Sequence, residues 1–131
     1  MSKEFKHQIK VYYEDTDTGG VVYYANYLKF LERARTEALK SIGLSNNILL
    51  NNHGVLIIVK SCKIDYKKSA KLEDELLILS KVKSFTKTSF IMNQIVKFEE
   101  EIITEADVHL VIVDKKGKPE KIPSVLEKLL N

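Results

Sequence analysis

Cysteine occurs once in the 131 residues, as Cys62, which excludes an internal disulfide framework. Proline occurs twice and glycine five times, too sparse for a low-complexity chain, and the rest is 44% apolar and 30% charged, as in an ordinary globular protein. No apolar run nears the roughly eighteen residues a membrane span needs, the best being residues 55–59. The opening Met-Ser-Lys-Glu-Phe-Lys lacks the apolar stretch of a secretory signal, so the expected compartment is the reducing cytoplasm. Charge of one sign is scarce as well: 21 Lys and Arg against 18 Asp and Glu leave a net +3. That mild imbalance, spread over scattered lysines, suits an anionic small molecule and falls short of a nucleic-acid footprint.

Several chemistries are missing too. The three histidines, His7, His53 and His109, show no zinc-ligand spacing. There is no GxSxG elbow for a serine nucleophile. Cys62 lies inside an apolar run with nothing nearby to activate a thiol, so core packing is its expected role. A chain of 131 residues is expected to form one domain over residues 1–131. It buries only about two thirds of its unfolded surface, so a ligand site fits more easily between subunits than inside its own core.

What is present reads in a clear order. Residues 5–13 alternate Phe5, His7, Ile9, Val11 and Tyr13 against more polar neighbours, the period of a half-buried strand. Residues 14–20 collect Asp, Thr and Gly and predict a loop. From Tyr24 the apolar positions step by three or four through Tyr27, Leu28, Leu31, Ala34, Ala38 and Ile42, predicting one long helix with Gly43 as its stop. A short helix is expected within residues 45–50, then strands at 55–66, 75–84, 89–99 and 102–113, then a terminal helix at 123–130. Strand, long helix and four consecutive strands argue for an α+β domain with an antiparallel sheet of about five strands folded around the helix.

The strongest chemical signal is residues 11–27, between the first strand and the long helix. As a calcium loop it fails: Asp15, Asp17 and Gly20 fit positions one, three and six, but Gly19 stands at five and Asn26 replaces the bidentate Glu at twelve. As a phosphate loop it fails because Gly19-Gly20 lacks the glycine-lysine context and two carboxylates lie beside it. The residues alone leave two readings open, a functional acid pair and an Asp-rich turn that merely starts a helix.

The sequence then resembles a known family. Residues 12–23, Tyr-Tyr-Glu-Asp-Thr-Asp-Thr-Gly-Gly-Val-Val-Tyr, are similar to the Tyr-Tyr-Glu-Asp-Thr-Asp-x-x-Gly-Val-Val-Tyr segment of the YbgC-like branch of the 4-hydroxybenzoyl-CoA thioesterase superfamily. The likeness continues through Asn26-Tyr27, Glu32-Arg33-Ala34-Arg35, Ile64-Asp65-Tyr66, Ser69-Ala70 and Asp74, and weakly to Ile122-Pro123. It implies a hotdog fold, a homodimer or homotetramer with active sites at the subunit interface, and hydrolysis of acyl-coenzyme A, with acyl carrier protein as another conceivable carrier. It implies that Asp17 is the catalytic carboxylate, as nucleophile or as general base towards water; choosing Asp17 over Asp15 rests on the resemblance. A thioester has a good leaving thiolate, so no metal or cofactor is required.

Tyr13 and Tyr24 correspond to the positions flanking that carboxylate, although many YbgC-like members carry histidine where this chain has Tyr24, so histidine-assisted proton transfer does not carry over. Carbonyl-oxygen donors are expected from backbone N–H groups at Tyr24 and Ala25 or, from a partner subunit, around residues 55–57, at about 3 kcal/mol each. Gly20 and Val55 complete the expected substrate contacts, and Lys67, Lys87 and Lys118 are the loop cations expected to meet the phosphates of coenzyme A. Glu32, beside Arg33 and Arg35, is expected to make a surface or interface salt bridge. A scaffold that binds acyl-CoA or acyl carrier protein without turnover is the competing class.

Overall fold

The computed structural model describes residues 3–131, so Met1 and Ser2, which open the segment read above for a secretory signal, lie outside it. Five strands form one antiparallel sheet in the order β1-β3-β4-β5-β2. They are β1 (Phe5–Lys10), β2 (Val55–Tyr66), β3 (Glu75–Phe85), β4 (Ser89–Phe98) and β5 (Glu101–Asp114). Three helices accompany them: α1 (Asn26–Ser41), α2 (Asn46–His53) and α3 (Glu127–Leu130). The antiparallel sheet with helices is as expected, and α1, at 16 residues, is the longest of the three helices. The first strand stops at Lys10, short of Tyr13, because residues 13–15 close a 3-10 turn.

One face of the sheet builds the core. Phe90, Met92, Gln94 and Val96 alternate inward along β4, opposite Leu110, Val108, Ala106 and Thr104 of β5. α1 docks there with Tyr27, Phe30, Leu31, Ala34 and Ala38 buried, the i, i+3, i+4 stripe of an amphipathic helix. The expected stripe is corrected at two positions: Tyr24 is 60% and Leu28 46% exposed, while Phe30 and Leu39, absent from the expectation, are buried. Two stripes overlap on this helix, and the one with the small Ala34 and Ala38 approaches the sheet most closely.

Gln94, fully buried, ties helix to sheet. Its amide nitrogen donates to Leu31 O at 3.0 Å and Ser80 Oγ at 2.9 Å, and its oxygen accepts from Arg35 at 3.0 Å. Gly43, at φ +81°, ends the helix as read from sequence, with Leu44 N–H donating back to Leu39 O.

The register sets two opposite ends. Lys10 pairs with Glu75, Phe98 with Glu101, and Tyr66 with Thr104, so the ends of β1, β4 and β2 gather with the starts of β3 and β5. At the other end Phe85 pairs with Phe90 and Val55 with Asp114. Between Val55 and Tyr66 the 12 residues of β2 extend roughly 36 Å at about 3.3 Å per residue.

Candidate active site

The segment after β1 folds into a small hairpin. Thr16 bridges Val22, Asp17 N–H donates to Val21 O at 2.9 Å, and Gly20 N–H closes the turn on Asp17 O at 3.0 Å. Gly20 sits at φ +78°, a left-handed conformation that costs most residues about 1–2 kcal/mol, and its N–H is committed to that turn. The hairpin is fixed to the body through Val22 N–H on Ala70 O at 2.8 Å, while buried Tyr27 accepts Ala70 N–H on its hydroxyl at 3.1 Å. Burial pushes the Tyr27 phenol above its ordinary range, partly offset by that hydrogen bond.

The two acids of the loop differ in their hydrogen bonds. Asp15 Oδ2 accepts Tyr12 N–H at 2.9 Å, and the Asp15 carbonyl accepts Tyr23 N–H at 3.0 Å and the Asn26 side-chain amide at 2.9 Å. Asp15 therefore braces the loop. Asp17 is exposed; its Oδ1 accepts Gly19 N–H at 2.8 Å, and its Oδ2 accepts no hydrogen bond among the described residues. A Cβ on Gly19 would lie 3.2 Å from that Oδ1, so the residue is small where the carboxylate turns back. At the start of α1, the N–H groups of Tyr24 and Ala25 reach no acceptor among the described residues. They are free donors at the positive end of a helix dipole, suited to a carbonyl oxygen that gains charge.

Exposed tyrosines gather at this end. Tyr24 lies 5.0 Å from Tyr23 and 5.9 Å from Tyr66 between ring centres, the latter edge-on, and Tyr66 lies 5.7 Å from Tyr27. Tyr13 is 84% exposed on its 3-10 turn. Clustered exposed aromatic side chains are chemically suited to cover a ligand.

The residues singled out from sequence divide between the two ends. Asp17, Tyr13, Gly20, Tyr24 and Lys67 are at the Tyr66 end, where Lys67 is 3.7 Å from Glu105. Val55, Lys87 and Lys118 are at the other: Val55 pairs with Asp114, the Lys118 carbonyl accepts Asp114 N–H at 2.8 Å, and the Lys87 carbonyl accepts Ile122 N–H at 2.8 Å. Lys87 joins Lys121 in the wall of a broad cleft of about 620 Å³ against the C-terminal segment. A single chain does not bring the two groups together.

Glu32 makes no ion pair among the described residues; its Oε2 accepts the Thr36 hydroxyl at 2.5 Å. Cys62 is half-buried, and burial raises its thiol pKa, in line with packing. No group of three metal-ligating side chains occurs among the described residues, and no described helix is long and apolar enough to cross a membrane. Sequence reading gave Gln94 and Tyr66 no role of their own and took Arg35 only as a neighbour of Glu32. The signal for Gln94 was a polar residue at the inward parity of an apolar strand; Arg35, one helical turn beyond Glu32, gave none that set it apart from Arg33.

Comparison with known proteins places these features. Residues 11–130 match the profile of the thioesterase-like superfamily. The acyl-CoA thioester hydrolase YbgC of Escherichia coli O157:H7 is 41% identical over 121 residues, covering 91% of this chain and 90% of that protein. A probable thioesterase from Bartonella henselae superposes with a TM-score of 0.88 at 30% identity over 92% of this chain and 100% of its own. The 4-hydroxybenzoyl-CoA thioesterase of Pseudomonas sp. strain CBS-3, at 21% identity, shares the fold with a TM-score of 0.88 over 96% of this chain and 99% of its own. A five-stranded antiparallel sheet carrying the loop of Asp17, matched over this length, assigns the chain to the thioesterase-like superfamily, in its YbgC branch.

Proposed function

We propose that this chain hydrolyses acyl-coenzyme A, with Asp17 as the acting carboxylate in a hotdog dimer whose sheets wrap the α1 helices. The observation that carries this reading is the unengaged Oδ2 of Asp17 at the same end of the fold as two unengaged N–H groups at the start of α1. Such a pairing supplies both needs of thioester cleavage, an oxygen base or nucleophile and donors for the carbonyl oxygen. Water adds to the carbonyl carbon as Oδ2 takes its proton, or Oδ2 adds first and water opens the resulting anhydride. In either route the C–S bond breaks and the thiolate leaves with the electron pair. In this reading Tyr13 and Tyr24 flank the carboxylate, and Gly20 closes the turn that carries it. A scaffold without turnover has no use for an acid left open in this way.

The second subunit follows from β2. It is an edge strand of 12 residues, apolar over residues 55–59 with Ile58 45% and Val59 51% exposed, an edge of the kind that folded proteins cover. Two copies paired antiparallel along this edge about a two-fold axis set Tyr66 of one protomer opposite Val55 of its partner. The Asp17 end of one chain then meets the Val55, Lys87 and Lys118 end of the other, uniting the two groups of residues that one chain keeps apart. Lys87 and Lys118 meet the phosphates of coenzyme A there, while Lys67 stands on the Asp17 side.

The test is free-thiol release from a panel of acyl-CoA esters. Asp17→Asn is expected to lower kcat by about 10²–10⁴-fold with fold and assembly unchanged, while Asp15→Asn, which keeps an oxygen to accept Tyr12 N–H, loses far less. Equal losses from both variants would remove Asp17 from its role.

A further inference from the structure

The structure holds a second polar feature that the proposed chemistry does not use. Between α1 and the inward faces of β2, β4 and β5 lies a cavity of about 150 Å³, walled by Ile57, Val59, Phe90, Met92 and Leu110. Thr36 and Asn46 stand on its polar side, and its volume is that of a benzene-sized group. Arg35 enters it. One guanidinium N–H is held by Gln94 Oε1 at 3.0 Å, and the amide of Gln94 cannot turn away because its nitrogen is already engaged by Leu31 O and Ser80 Oγ. No carboxylate lies within ion-pair distance of Arg35 among the described residues. Glu32 shares the cavity wall, but it is exposed and bonded to Thr36. The result is a fixed, half-buried cation with N–H donors to spare, at one side of an apolar pocket.

We propose that Arg35 is a specificity-determining residue that receives the terminal carboxylate of a short acyl group, so that short dicarboxylic acyl-CoA esters are favoured over unsubstituted ones. A carboxylate accepts two parallel N–H bonds from the guanidinium fork and supplies a contacting counter-charge, where Glu32 acts only beyond ion-pair distance. This rests on the thioesterase reading above, and the paired β2 edges set its geometry. Within one chain, Tyr24 and Arg35 are 11 residues apart along the helical segment, about 16 Å at 1.5 Å per residue, too far for an acyl group that fills a benzene-sized space. In the paired arrangement Ile57 stands two residues along β2 from Val55, the position that faces Tyr66 of the second copy, so the pocket of one chain opens towards the Asp17 end of the other.

The experiment compares kcat/KM for pentanoyl-, 5-hydroxypentanoyl- and glutaryl-CoA, three esters of one chain length. In the wild type glutaryl-CoA is expected to exceed pentanoyl-CoA, and Arg35→Gln to cut that ratio about tenfold or more, mainly through KM, as loss of a charge-assisted hydrogen bond requires. Arg35→Lys should keep part of the preference. Glu32→Gln, at an exposed position that leaves the fold undisturbed, should raise the ratio by removing the opposing charge. A ratio unmoved by Arg35→Gln, a ratio not raised by Glu32→Gln, or a wild type that favours the hydroxyl ester would each overturn the proposal. So would an Arg35→Gln protein that becomes monomeric in gel filtration, because Arg35 would then be a subunit contact. Failure of the wild type to cleave any ester defeats the thioesterase reading instead; Asp17-dependent cleavage with no dependence on Arg35 defeats this inference alone.

Discussion

Asp15 and Asp17 are two residues apart and chemically identical, yet hydrogen bonding separates their roles. One is tied to Tyr12 N–H and holds Tyr23 and Asn26 through its carbonyl; the other is anchored by one oxygen and open at the second. That distinction is invisible in a sequence because it depends on which backbone N–H each oxygen meets. Tyr27 makes a second residue-scale point. Its phenol is raised by burial, so the proton is held more tightly in the folded chain than in the unfolded one. The associated stability is fully present below the unfolded phenol pKa near 10 and is lost as pH rises through the folded value. Tyr27→Phe removes the acceptor of the Ala70 N–H and should cost about 1–3 kcal/mol at pH 7. In urea titrations across pH 9 to 12 its stability should decline less steeply than that of the wild type; parallel declines would detach the alkaline loss from Tyr27.

At the scale of elements, strands were legible where alternation met a half-buried sheet: β2 runs Val55–Tyr66 as read, and the other three later strands differ at their ends by a residue or so. α1 was legible as a helix but less so in its facing. Its apolar residues serve two stripes, one buried on the sheet through Tyr27, Leu31, Ala34 and Ala38, the other passing Tyr24 and Leu28 towards Glu32 and Arg35. Periodicity records that both exist, whereas packing decides which is covered. The edge position of β2 was likewise hidden, since strand order comes from long-range pairing. Its exposed Ile58 makes a prediction possible. Ile58→Lys places a charge on the uncovered edge opposite Lys63 of the second copy in that pairing, and because like charges would then meet, the protein should shift towards monomer in analytical ultracentrifugation, with thioester cleavage falling in parallel. A monomer that retains full activity would contradict a shared site.

At the scale of the whole molecule, the placing of Asp17 and Val55 at opposite ends of the sheet calls for a complementation test. Asp17→Asn lacks the acid and Ile57→Trp fills the pocket, so each homodimer should be inactive. After unfolding and refolding of an equal mixture, half the dimers are mixed and each contains one intact site, which restores about a quarter of wild-type turnover. If both halves of the site came from one chain, the mixture would stay inactive.

The bond from Gly19 N–H to Asp17 Oδ1 has a consequence in time. A carboxylate in water rotates freely and must be stilled at each encounter, but here the backbone stops that rotation when the loop folds, long before any ester arrives. In the proposed reaction the second oxygen would then meet its ester without a search for its own orientation.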